Sequence, residues 1–175
     1  MDSISTLDKK YCCGCRACEK LCPAQAIKME ENIEGFIEPI VDETKCIHCG
    51  LCLNRCPQHI KKESLAKKIS PKVYAAKSKN TEEQKSSSSG GIFSVISNYI
   101  LDNDGVVYGV AFNNEMKVEH IRVADKKYLY KLKGSKYVQS DTKNTFQETK
   151  KFLENGILVL YSGTPCQIAG LISFL

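Results

Sequence analysis

The spacing of apolar positions changes character along the chain. Between residues 26 and 41, "AIKM" and "GFIEPIV" predict two short strands, split by a turn at Glu31-Asn32 and Gly35. From Val73 onward the segments lengthen. "KVYAAKS" (72–78) predicts a strand. "GGIFSVISNYILDN" sets Ile92, Phe93, Ile96 and Ile100 at helical spacing and ends at Asn103 to Gly105. "GVVYGVAF" and "KVEHIRV" predict strands around the turn "NNEM", and a short helix is expected near Asp125 to Leu132. "KGSKYVQS" predicts a glycine turn leading into a short strand. "DTKNTFQETKKFLENG" predicts a helix with Gly156 past its end. "ILVLYSG" is a continuous apolar run, the pattern of a buried central strand, and "TPCQIAGLISFL" opens a further helix. Alternating strands and helices predict an α/β domain with a mixed or parallel sheet. Between the halves, the lysine-rich stretch ending at Pro71 predicts a helical or irregular linker over 61–72. Its lysines form either a solvated face or a docking patch for an acidic electron donor.

Composition narrows the classes. The 175 residues suffice for one small and one medium domain, and 42% hydrophobic with 26% charged residues is an ordinary globular balance. The first ten residues lack the apolar region of a secretory signal, and no apolar run approaches the length of a membrane span. A cytoplasmic, reducing setting is the expectation. There, ten cysteines read as metal ligands rather than disulfides. A net charge of +5 suits an acidic partner but is too small to argue for nucleic acid.

The cysteine spacing specifies the metal. Cys12, Cys15, Cys18 and Cys22 follow C-x2-C-x2-C-x3-C, with Pro23 next, and Cys46, Cys49, Cys52 and Cys56 repeat the pattern before Pro57. Three cysteines at such intervals let one loop wrap three irons of a cubane, while the fourth is aimed away and ligates the other cluster. The predicted ligand sets are therefore Cys12, Cys15, Cys18 and Cys56 for one 4Fe–4S cluster, and Cys46, Cys49, Cys52 and Cys22 for the second. Structural zinc usually takes two well-separated C-x2-C pairs, which fits poorly. Residues 10 to 59 resemble the bacterial-type two-cluster ferredoxin module. A module that small depends on its clusters, because ligation free energy becomes folding free energy. Cys13 is off register and reads as a packed spare thiol. His48 is off register too and reads as an exposed spacer or as a group that tunes the cluster through its charge.

Three places in the second half look chemical. "SSSSGG" (86–91) precedes a helix, where it is either a flexible N-cap or an anion cradle. It is not a P-loop or a dinucleotide fingerprint. In "KGSKYVQS", Lys133 and Lys136 flank a solvated turn or a ligand. In "YSGTPCQ", at the carboxyl end of a predicted strand, Thr164 suits an N-cap and Pro165 the first helical position. Cys166 then lies in a first turn, as a catalytic thiol or as a buried one.

"SSSSGGIF", "KGSKYVQS" and "SGTPCQIAGL", in this order behind a two-cluster module, resemble the coenzyme F-420 (deazaflavin) hydrogenase/dehydrogenase beta-subunit family over residues 73 to 175. The resemblance implies an iron–sulfur flavoprotein of anaerobic metabolism. It further implies FAD, in the full-length protein, near Ser89, Gly90, Gly91, Gly163, Thr164, Pro165 and Gln167, with Cys166 as the catalytic candidate; the 175-residue chain alone is expected to hold flavin weakly or not at all. A redox partner follows: a ferredoxin-like donor or a hydrogenase or dehydrogenase subunit. Members of that family are longer, and this chain stops inside an apolar helical pattern. The expected architecture is thus an α+β ferredoxin-type two-cluster domain (1–60) followed by an incomplete α/β domain (73–175), with self-association of the uncovered apolar surface. Three functions stay open: a flavin oxidoreductase coupling one-electron donors to two-electron chemistry, an electron-transfer subunit without a substrate site, and a cluster-bearing assembly or sensor protein.

Overall fold

The computed structural model describes residues 2–60 and 72–175, so most of the expected linker at 61–72 lies outside the described residues. Contacts divide the chain into two units: the described part of Met1–Ile69 together with Thr164–Leu175, and the described part of Ser70–Gly163. This division differs from the sequence boundaries, because the last segment joins the first unit.

In the first unit, β1 (Ile27–Glu31) and β2 (Ile37–Val41) form an antiparallel hairpin with Met29 opposite Pro39. Asn32 closes the turn, its Oδ1 accepting from the N–H groups of Glu34 and Phe36 at 3.0 and 2.9 Å. Two short helices, α1 (Ala17–Leu21) and α2 (Leu51–Asn54), pack on each other. Helices of this length do not persist alone, since nucleation is unfavourable, and tertiary contacts must hold them. One core cluster consists of Ile4, Ile27, Cys52 and Leu53, with Leu7, Cys18, Cys22, Val41 and Cys56 against them.

The second unit has a three-stranded mixed sheet. β3 (Val106–Phe112) is central, antiparallel to β4 (Val118–Val123) and parallel to β5 (Val159–Tyr161). Helix α4 (Ile92–Asp102) and a 3-10 stretch (Lys126–Leu132) cover one face, where Val107, Ala111, Val123, Leu129 and Leu132 are buried with Phe93 and Ile100 against them. Gly109 permits this closeness: a Cβ there would stand 3.2 Å from Leu132. Helix α5 (Thr145–Glu154) packs against β4 and β5 and buries Phe146 and Thr149. Its end is set by Gly156 at φ 72°, a left-handed conformation that suits glycine. The preceding α3 (Thr81–Lys85) is capped by Asn80, whose side chain accepts from the N–H groups of Glu82 and Glu83.

Three sequence expectations for this unit are corrected. Residues 72–78 form no strand; Val73 is 89% exposed and has no described neighbour to pair with. "KYVQS" forms no strand either, and only Asp141 makes an isolated bridge, to Glu119. β5 is an edge of the described sheet rather than its centre, and its residues are half-buried.

Candidate functional site

The two cysteine motifs fold alike, and the reason lies in the backbone. Gly14 and Arg16 have φ of 60° and 64°, and the equivalent His48 and Gly50 have φ of 51° and 73°. Left-handed residues alternating with ordinary ones turn successive N–H groups toward one centre, a concavity suited to an anionic cluster. His48 therefore occupies the position that glycine holds in the first motif. α1 then begins one residue before Cys18, and Cys22 caps its end. Likewise α2 begins one residue before Cys52, and Cys56 follows the cap at Arg55. The helical turn between third and fourth cysteines sends the fourth to the opposite side of the unit.

The consequence is an exchange. One concavity is lined by Cys12, Cys15, Cys18 and Cys56, with Cys13 also at its wall, and closed by Ile4, Leu7, Pro39 and Pro57. The other is lined by Cys46, Cys49, Cys52 and Cys22, closed by Ile27, Val41, Ile47 and Leu51. Backbone donors aim at the sulfurs: Ile4 N–H at Cys52 Sγ, 3.2 Å, and Ala26 N–H at Cys22 Sγ, 3.3 Å. Burial pushes the Cys18 thiol up to about 12, with Cys12 and Cys56 adding to it. Burial also raises Cys12 and Cys52, and a hydrogen bond to Cys13, then burial, raises Cys15. Thiolates so crowded require positive charge among them, which iron supplies. Four sulfurs, apolar walls and inward N–H groups fit a 4Fe–4S cubane in each concavity.

Ile4, Ala26 and Gln58 were not singled out from sequence. The "ISTL" spacing of Ile4 and Leu7 is the signal for the first. Gln58 Nε2 lies 3.8 Å from Cys13 Sγ. His48 Nδ1 lies 4.0 Å from Cys46 Sγ and its Nε2 lies 3.8 Å from Glu43, all three exposed or half-buried.

The second unit brings two of the three other candidate places together. Lys133 Nζ lies 2.7 Å from a Glu83 carboxylate oxygen and 3.2 Å from Ser86 Oγ, so "KGSK" meets the start of "SSSSGG". Lys133 and Ser94 hold Glu83 below the usual carboxylate range. Lys136 donates to the carbonyls of Lys131 and Lys133. Ser89 and Gly90 lead into Gly91, which caps α4 at φ 76°. A Cβ on Gly90 would stand 2.6 Å from the Ala76 carbonyl oxygen, so only glycine passes there. Gly163 closes this unit, whereas Thr164, Pro165, Cys166 and Gln167 belong to the first. There they open α6 (Pro165–Phe174), with Thr164 as N-cap and Gln167 Oε1 accepting from the Thr164 N–H at 3.0 Å.

Comparison with known proteins supports both halves. The family model described as 4Fe-4S dicluster domain matches residues 11–60, and a second with the same description matches 38–90. The model for coenzyme F420 hydrogenase/dehydrogenase, beta subunit N-term, matches residues 73–146. Residues 73–146 are similar to the N-terminal part of that beta-subunit family. The chain thus joins a segment similar to 4Fe–4S dicluster domains to one similar to the F420 hydrogenase/dehydrogenase beta subunit. It is 28% identical to the coenzyme F420-dependent sulfite reductase of Methanocaldococcus jannaschii over 94% of this chain and 25% of that protein. It is 49% identical to one component of the ion-translocating oxidoreductase complex of Methanosarcina acetivorans over 27% of this chain and 16% of that protein. It is 40% identical to the ferredoxin-type protein NapF of Haemophilus influenzae over 25% of this chain and 24% of that protein. The chain thus spans a quarter or less of the length of these three relatives. Among the described residues no helix is long and apolar enough to cross a membrane.

Proposed function

We propose that Cys12, Cys15, Cys18 and Cys56 hold one 4Fe–4S cluster, that Cys46, Cys49, Cys52 and Cys22 hold the second, and that electrons cross them to a flavin-dependent reaction. The observation carrying this reading is the exchange of fourth cysteines between two otherwise separate concavities. Clusters carry electrons singly and FAD gathers them in pairs, so the substrate is a two-electron carrier: the deazaflavin coenzyme or another organic molecule. The chain's own residues set the conditions. Ile4 and Ala26 donate to thiolate sulfur and favour the more electron-rich state. Ile27, Val41, Leu7 and Pro39 keep water from the sulfurs. Ser89, Gly90 and Gly91 are the proposed cradle of the FAD phosphates, because they lead directly into the first N–H groups of α4, and a helix N-terminus favours an anion.

The donor is a one-electron redox protein. The F420-dependent relative supports deazaflavin as the organic substrate class. Counting iron, sulfide and flavin in anaerobically purified protein tests the reading. About eight irons and eight sulfides are expected, from two cubanes, with FAD binding in stoichiometric amount in the full-length protein. Zinc in place of iron overturns the clusters. Full iron with no flavin binding in that full-length protein overturns the flavin step and leaves an electron relay, the role in which the short ferredoxin-type relatives align.

A further inference from the structure

Once eight cysteines are assigned to clusters, Cys13 and Cys166 remain, far apart in sequence. They meet within the first unit. The Cys13 thiol is within hydrogen-bonding reach of the Cys166 thiol and also of Cys15. Both are half-buried rather than sealed. Each sits on a fixed element. Cys13 lies in the first cysteine loop, with Gln58 Nε2 at 3.8 Å. Cys166 occupies the first turn of α6, with Thr164 Oγ1 at 3.1 Å from its sulfur. α6 packs on α1, and near its other end Arg55 and Ser173 exchange hydrogen bonds through their side chains and carbonyls. The helix therefore holds its thiol against the cysteine loop rather than swinging free.

We propose that Cys13 and Cys166 are a redox-active dithiol–disulfide pair wired to the first cluster, with an organic disulfide as its oxidant. This rests on the ligand sets given above, which make Cys15 a cluster ligand and so put the pair one sulfur contact from iron. The chemistry balances. In one direction the two thiols and an organic disulfide exchange: the external S–S bond breaks, the Cys13–Cys166 bond forms, and two external thiols leave with the two protons. In the other, the Cys13–Cys166 disulfide would take up two electrons and two protons from solvent, restoring both thiols, and the two clusters held by the ligand sets above would supply one electron each. Two one-electron centres match one two-electron bond.

The test uses iron-replete protein with its thiols reduced and its clusters oxidised, under anaerobic conditions, with oxidised glutathione as the probe disulfide. Peptide mapping after alkylation should show one internal disulfide joining Cys13 to Cys166, release of about two glutathione molecules per chain by the exchange stoichiometry, and unchanged iron. On reductive titration with titanium(III) citrate, that oxidised protein should take up about four electrons per chain, two for the clusters and two for the bond. Cys13→Ser and Cys166→Ser should each take up about two, with iron retained. Absence of the Cys13–Cys166 disulfide in protein with full iron overturns the pair while the cluster assignment stands. Equal electron uptake by wild type and variants does the same. Loss of half the iron in Cys166→Ser shows instead that this cysteine is a ligand, and then the cluster assignment falls and the pair with it. The wild-type mapping decides the matter even where a variant fails to fold.

Discussion

Of the nine residues in the core cluster of the first unit, four are cysteines: Cys18, Cys22, Cys52 and Cys56. The interior of the second unit is aliphatic on one face of its sheet and aromatic on the other. There Tyr161 stacks on Tyr108 and His120 at 5.4 and 5.1 Å and meets Phe146 edge-on at 5.9 Å. Tyr108 donates to Glu148 at 3.0 Å, and Thr145 and Tyr161 share a hydrogen bond at 2.7 Å. Apolar burial holds such a core without help. Crowded thiols gain little until something positive sits among them. The difference teaches that one unit owes its fold to its cofactor and the other to its side chains.

Removing iron should break this comparison open most forcefully. Structural metal sites contribute on the order of 10 kcal/mol to folding, comparable to the total stability of a small domain. Anaerobic chelation should therefore strip hydrogen-exchange protection from β1, β2, α1 and α2 while β3 and β4 keep theirs. Retained protection in the first unit would show that Ile4, Ile27 and Leu53 suffice by themselves.

Single ligand losses come next. Cys22→Ala should remove the cluster held by the second motif, and Cys56→Ala the cluster held by the first, each lowering iron from about eight to about four per chain. Spectroscopy of the surviving cluster in each variant distinguishes this exchanged pattern from a simple one, in which each motif keeps its own fourth cysteine.

How far the sequence showed this difference depends on range. The cysteine intervals repeat within a few residues, and the thiols they group are among those that line the two concavities. The β1–β2 and β3–β4 hairpins and the helices α4 and α5 were equally legible, because each carries its own period and its own turn. What failed was context. "KVYAAKS" has strand-like residues, but pairing needs a neighbour. "ILVLYSG" is as apolar as a central strand, yet β3 occupies the centre and leaves it an edge. α3 escaped notice, although Asn80 and Glu83 stand at the cap and third positions that announce a helix start. Nothing local in "TPCQIAGLISFL" says that it packs on α1 rather than on the sheet it follows.

The second unit's self-sufficiency predicts a sizeable but ordinary penalty for core damage. Phe146 is 0% exposed, and Phe146→Ala should cost about 3–5 kcal/mol as a core cavity. Denaturant unfolding followed at the sheet should register it, and iron content should not change. A fall in iron would show that the two units depend on each other's folding.

The smallest expected effect is a pH dependence confined to the second unit. His120 is buried, with Ser140 Oγ 3.0 Å from Nδ1 and the Ser162 carbonyl oxygen 3.0 Å from Nε2. A carbonyl only accepts, so Nε2 carries the proton and Nδ1 accepts from the serine hydroxyl: the neutral ring satisfies both neighbours. Burial depresses the His120 pKa, against the opposing pull of the Ser162 carbonyl and Asp141. In the unfolded chain the ring titrates near its ordinary value of about 6.5. Below that pH the unfolded state binds the proton first, so stability is complete above it and falls as pH drops toward the lower folded value. Hydrogen exchange at β3 should report this decline on acidification, and His120→Gln should flatten it while lowering stability at neutral pH. A slope unchanged in that variant would assign the titration to another group.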